Sequence, residues 1–312
     1  MSQLKKYGAL YLKGLAMGAA DVVPGVSGGT IAFITNIYQE LLDSISAFSR
    51  AENYKVLLKS GPLEFFRCVN GLFLVVLFGG VFTSIFSLAK GISYLLENET
   101  ELIWSFFFGL IVVSCFLIAR QVERWNAQAG FVLIIGGVIA YWVTVSTPAV
   151  IEPSYWKVFA AGAVAICAMI LPGISGSFIL LILGLYGHII GAIKNLDVMT
   201  LLVFTAGTGV GLLSFSRILS WFYAHYRSVT LALLTGFLVG SLNAVWPWKQ
   251  VLSYRVNSHG EQVPFLRENV LPTDYLAITG NDPHLWTGCG LMFVAIGLVY
   301  GLTLLGEKLG KE

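Results

Sequence analysis

A chain of 312 residues that is 56% apolar and only 12% charged cannot coat a soluble globule, because ordinary soluble domains carry about 25% charged residues. A net charge of +2 without a basic block removes the electrostatic footprint of a nucleic-acid binder. The four isolated cysteines, Cys68, Cys115, Cys167 and Cys289, suggest neither a disulfide frame nor a metal site, so the composition predicts an all-α polytopic membrane protein with no cofactor and no metal.

Residues 1–20 are kept as part of the fold. Lys5 and Lys6 resemble the start of a signal peptide, but Lys13 interrupts the apolar run after them and no clear cleavage site appears. Region 8–46 is apolar but broken at Val23-Pro24-Gly25-Val26-Ser27-Gly28-Gly29. Proline removes a helical donor and glycine loosens the backbone beside it. Each half is about 15–18 residues, short for a full span, so the region reads as a re-entrant helical hairpin turning at Pro24 and Gly25. The charged loop 46–69 comes next. Three stretches, 70–96, 102–121 and 128–147, then reach the length of about 20 apolar residues that crosses a bilayer. Region 156–193 repeats the break as Leu171-Pro172-Gly173-Ile174-Ser175-Gly176-Ser177, with its turn at Pro172 and Gly173. Spans 199–223, 229–247 and 285–305 complete the chain, and loop 248–284 is its largest aqueous segment.

The two broken regions are copies. Aligning Pro24 with Pro172, an offset of 148, leaves 8 of 22 positions identical across 24–45 and 172–193. Further on the offset becomes 127, which pairs Lys90 with Arg217, Tyr94 with Trp221, and Gly109 with Gly236. Each half, 1–147 and 148–312, is one hairpin plus three transmembrane helices. Three is odd, so the second half enters upside down. Two inverted-topology repeats around broken helices are the architecture of secondary transporters, with the site near the midplane. With the N-terminus cytoplasmic, 12 of the 19 Lys and Arg fall on the cytoplasmic side and five outside. The positive-inside rule then puts both termini in the cytoplasm.

After each break a helix restarts, at Ser27-Gly28-Gly29-Thr30 and at Ser175-Gly176-Ser177. A helix start offers unpaired amides and a positive dipole end, which attract an anion. The same serines also suit the plain role of capping their own helices. Lys90 and Arg217 are cations inside spans, where charge is costly and points to function; snorkelling to a nearby helix end is the competing role. Asp21 stands in the first hairpin only, since its counterpart is Met169. It is a candidate for carrying a coupling ion, H+ or Na+, or for capping the restarted helix.

The stretch from Gly18 to Thr30, together with Leu171 to Ser177, resembles the polyprenyl-phosphate transporter family (PopT type). The resemblance covers essentially the whole chain. It implies a bacterial inner-membrane flippase that returns undecaprenyl phosphate across the bilayer for envelope synthesis, with the lipid as its partner. A lipid phosphate cannot carry its head through hydrocarbon unaided, since the idealised cost of burying one ion is of order 20 kcal/mol. The hairpins also resemble membrane undecaprenyl-pyrophosphate phosphatases, which pair a Pro-Gly-x-Ser-Arg-Ser loop with a glutamate-rich one. Here the arginine position is Gly28 or Gly176, and no activated nucleophile is supplied. Such a phosphatase, or an ion-coupled transporter of a small anion, is the alternative to a non-enzymatic flippase.

Overall fold

A computed structural model describes residues 3–23, 26–147, 149, 151–256 and 262–309. Pro24 and Gly25, expected as the first hairpin turn, lie outside them. The first half begins with helices α1 (Gln3–Asp21), α2 (Gly28–Ile34) and α3 (Tyr38–Ala47). Two short helices, α4 (Ala51–Ser60) and α5 (Pro62–Cys68), occupy the charged loop. The long helices α6 (Gly71–Asn98), α7 (Thr100–Ala119) and α8 (Ala127–Val145) come after them. The second half runs through α9 (Tyr155–Ile170), α10 (Gly176–Ile182), α11 (Tyr186–Lys194), α12 (Val198–His225) and α13 (Arg227–Ser241). Strands β1 (Lys249–Val256) and β2 (Gln262–Asn269) and helices α14 (Pro272–Thr279) and α15 (Leu285–Leu309) close the chain.

Four of the six expected spans are long and apolar enough to cross a membrane by themselves: α7, α8, α12 and the Gly71–Leu88 stretch of α6. α10 and α11 qualify only as a pair bent by 109°. The expected span 229–247 is corrected to α13, which ends at Ser241 although apolar residues continue. Past that point the Asn269 side chain donates to the Asn243 carbonyl at 3.1 Å and the Trp246 indole donates to the Val270 carbonyl at 2.9 Å. Loop 248–284 is likewise not an open loop. β1 and β2 pair antiparallel from Lys249–Asn269 to Val256–Gln262, and the Trp248 indole donates to the Pro283 carbonyl at 2.8 Å.

The long helices pack in parallel pairs backed by glycine. On α1, a Cβ at Gly14 would collide with the Leu77 carbonyl of α6, and one at Gly18 with that of Val81. On α12, Gly207 and Gly211 meet the carbonyls of Phe159 and Ala163 on α9. Gly236 and Gly240 of α13 meet those of Leu133 and Gly137 on α8. In each pair the two residue numbers climb together, so the helices run the same way. α7 and α15 also pack closely, Gly109 against Met292 and Gly288 against Ser105. Without a hydrophobic drive between helices in lipid, such close backbone contact is the main source of packing energy. Large apolar residues correspondingly face outward: Phe131, Ile134 and Val138 of α8 are more than 60% exposed, while Gly136 and Ala140 are buried.

Element boundaries recur along the chain. An offset of 148 carries Gly28–Ile34 onto Gly176–Ile182, and 127 carries Gly71–Asn98 onto Val198–His225. The junction residues Glu99 and Tyr226, also 127 apart, share φ −131° with ψ 46° and 48°. One apolar core ties the halves together, with Leu42, Leu77, Ile111, Leu231, Leu234 and Leu238 fully buried.

Candidate functional site

The two helix breaks meet. α9 stops at Ile170 and leaves its last carbonyls without helical partners, a need that hydrocarbon cannot meet. Residues of the first break meet it instead. The Ser27 hydroxyl donates to the Met169 carbonyl at 2.8 Å, and the Tyr38 hydroxyl donates to the Ile170 carbonyl at 3.2 Å. In return the Gly173 amide donates to the Thr30 hydroxyl at 3.1 Å. Gly29 permits this approach, since a Cβ there would lie 2.6 Å from the Ile170 carbonyl oxygen. Gly173 holds φ +85°, the left-handed region that suits glycine at the second turn.

The two restarted helices differ at their first residues. Ser27 is extended (φ −124°, ψ 134°) and fully buried, and its oxygen also accepts from the Gly29 amide at 3.1 Å. It therefore caps its own helix and bridges to the other half at once. The Asp21 carboxyl group accepts from the Gly28 amide at 2.7 Å, so that amide already has a partner. At α10 there is no such carboxylate. Ser175 is extended (φ −96°, ψ 129°) and makes no side-chain cap. Its hydroxyl bonds instead to that of Ser177 at 2.9 Å, and Ser177 is exposed. Gly176 packs against α9, where a Cβ would stand 2.6 Å from the Ala165 carbonyl oxygen.

Among the described residues, neither expected cation is bonded to the breaks. Lys90 is exposed on α6 and makes no hydrogen bond or ion pair among the described residues. Arg217 is exposed on α12 and lines a separate cavity with Ser46, Ser49 and Ser220. Two residues with no role in the sequence analysis also support the breaks, Lys13 within the first and Tyr38 between the two. Lys13 donates to the Thr35 carbonyl at 2.8 Å, satisfying the end of α2. Tyr38 aligns with Tyr186 at the offset of 148. A lysine 22 residues before its acceptor has no spacing signal to find.

A multi-pass helical membrane protein with two broken helices joined at their tips is the class that these features define. The chain belongs to the VCA0040-like, undecaprenyl phosphate translocase-like family, whose model matches residues 17–263. It is 53% identical over 302 residues to a polyprenyl-phosphate transporter of Vibrio cholerae, covering 97% of this chain and 98% of that protein. It is 33% identical over 261 residues to a polyprenyl-phosphate transporter of Staphylococcus aureus, covering 76% and 85%. No solved structure matches the chain.

Proposed function

We propose that this protein carries a polyprenyl phosphate across the bacterial inner membrane, returning the head to the cytoplasmic side while the tail stays in lipid. The observation that carries this reading is the junction of the two helix breaks, which gathers hydroxyls and glycine amides between the halves of the chain. The names of the two relatives support the substrate class. The parallel runs of α1 with α6 and of α9 with α12 support two re-entrant hairpins, because the chain between each pair must turn back to its starting side. The recurrence of element boundaries at offsets of 148 and 127 supports two repeats, inverted because three spans separate them.

In this reading the head is received by Ser175, Gly176 and Ser177 of the second break beside Ser27, Gly28, Gly29 and Thr30 of the first, with Lys90 and Arg217 attracting it along the route to and from the tips. Asp21 holds the Gly28 amide against an incoming phosphate. A protonated Asp21 is a weaker acceptor and gives the amide up, which couples the movement of the anion to H+.

The test uses purified protein in liposomes with a fluorescent polyprenyl phosphate and an external quencher. Protein-dependent change in headgroup protection, without phosphate release from the matching pyrophosphate, is the expected result. Phosphate release would make the protein a phosphatase. Full transport in Ser27→Ala, Ser175→Ala and Arg217→Ala alike would overturn the assignment of the site.

A further inference from the structure

A cavity of about 850 Å³ opens where the turn between α3 and α4 faces the last turns of α12. It lies on the face that the proposed orientation makes cytoplasmic. Its size is that of a small-molecule site. Two guanidinium groups line it from different elements, Arg50 at the start of α4 and Arg217 on α12. Neither makes an ion pair or a side-chain hydrogen bond among the described residues. The position of α3 against α12 is fixed beside the cavity by a hydrogen bond from the Ser220 hydroxyl to the Asp43 carboxylate. That bond engages Asp43 and leaves Glu52 as the acidic group of the lining.

Two guanidinium groups against the single carboxylate of Glu52 leave the lining net positive, which favours an anion there. Guanidinium matches a phosphate with paired, parallel hydrogen bonds. The serines Ser46 and Ser49 stand in the same lining. The rim is apolar: Ile218, Trp221 and Phe222 are 52%, 49% and 44% exposed. An anion with a hydrocarbon tail fits this arrangement, with its head between the arginines and its tail along α12 toward lipid.

We infer that the Arg50–Arg217 cavity is a second station for the head of a phosphomonoester lipid, occupied in the cytoplasmic leaflet apart from the joined helix tips. The inference rests on the transport reading and adds Arg50 to it. The site explains why Arg217 stands apart from the tips: it serves the end of the route on its own face.

Arg50 is the residue to change. The test measures binding of a polyprenyl phosphate, of the matched neutral polyprenol and of inorganic phosphate to the purified full chain in nanodiscs, by native mass spectrometry. Arg50→Ala is expected to weaken polyprenyl-phosphate binding roughly tenfold, the size of one lost charged hydrogen bond. Arg50→Lys should recover part of it, and polyprenol binding should not change. Both variants should match the parent in elution and helical content, since Arg50 is exposed. Unchanged lipid affinity in Arg50→Ala, with wild-type transport intact, would overturn the cavity and leave the transport reading standing. Inorganic phosphate binding as tightly as the lipid, and lost with Arg50, would overturn the lipid as occupant. A wild-type chain that neither binds nor moves the lipid would overturn the transport reading itself.

Discussion

Ser27 and Ser175 occupy matching positions and do different work. Ser27 is committed to protein, holding the Gly29 amide and the Met169 carbonyl, whereas the Ser175 hydroxyl bonds to that of the exposed Ser177. Ser27→Ala should therefore lower thermal stability by about 1–3 kcal/mol, the cost of leaving buried polar groups unpaired. Ser175→Ala should leave the melting temperature near wild type and slow transport, read as the rate of headgroup protection. Lys249, at the start of β1, behaves differently again. Its amine sits over the Trp104 ring at 5.5 Å and donates to the Ala244 carbonyl at 2.6 Å. Burial, with a smaller push from Arg267, lowers its pKa from 10.5 to about 7. Well above the ordinary value the amine is neutral in folded and unfolded chain alike and costs nothing. As pH falls toward about 7, the unfolded chain takes up a proton that the folded one refuses. Stability contributed here thus rises with pH between about 7 and 10.5. Thermal unfolding across that window should show the slope in the wild type and a flatter profile in Lys249→Met.

At the scale of elements, the breaks were legible and the pairings were not. Pro172 and Gly173 interrupt a helix by local chemistry, so a single reading of the chain finds them. The glycines that pack α1 on α6 look no different in sequence from those that touch nothing. Gly18 meets the Val81 carbonyl, while Gly8 has open space around it. Gly18→Leu should abolish the monodisperse peak of the purified protein, and Gly8→Ala should leave it unchanged. The end of α13 at Ser241 escaped the sequence for a related reason. Its cause is a set of bonds to Asn269 and Val270, and hydropathy carries no trace of them. The partner of Ser27 was equally hidden, because it is a main-chain carbonyl 142 residues away and every residue has one.

At the scale of the whole molecule, α2 and α6 share their boundaries with α10 and α12 at fixed offsets, but the tips differ, where the first has Asp21 and the second has Met169. In the proposed mechanism Asp21 is therefore the group that carries the coupling proton. Asp21→Asn should keep transport measurable while removing its response to an imposed pH gradient across the liposome. A response that survives would transfer the coupling to another group. The pairing of the long helices has a consequence for how the protein is made. α1 with α6, and α9 with α12, find each other inside one half, but α7 waits for α15 and α8 waits for α13. When the ribosome has finished the first half, two of its hydrophobic helices stand in the membrane with their glycine faces open to lipid. They stay so until the matching helices of the second half are translated. Assembly of these two pairs is therefore completed only once α13 and α15 have been made.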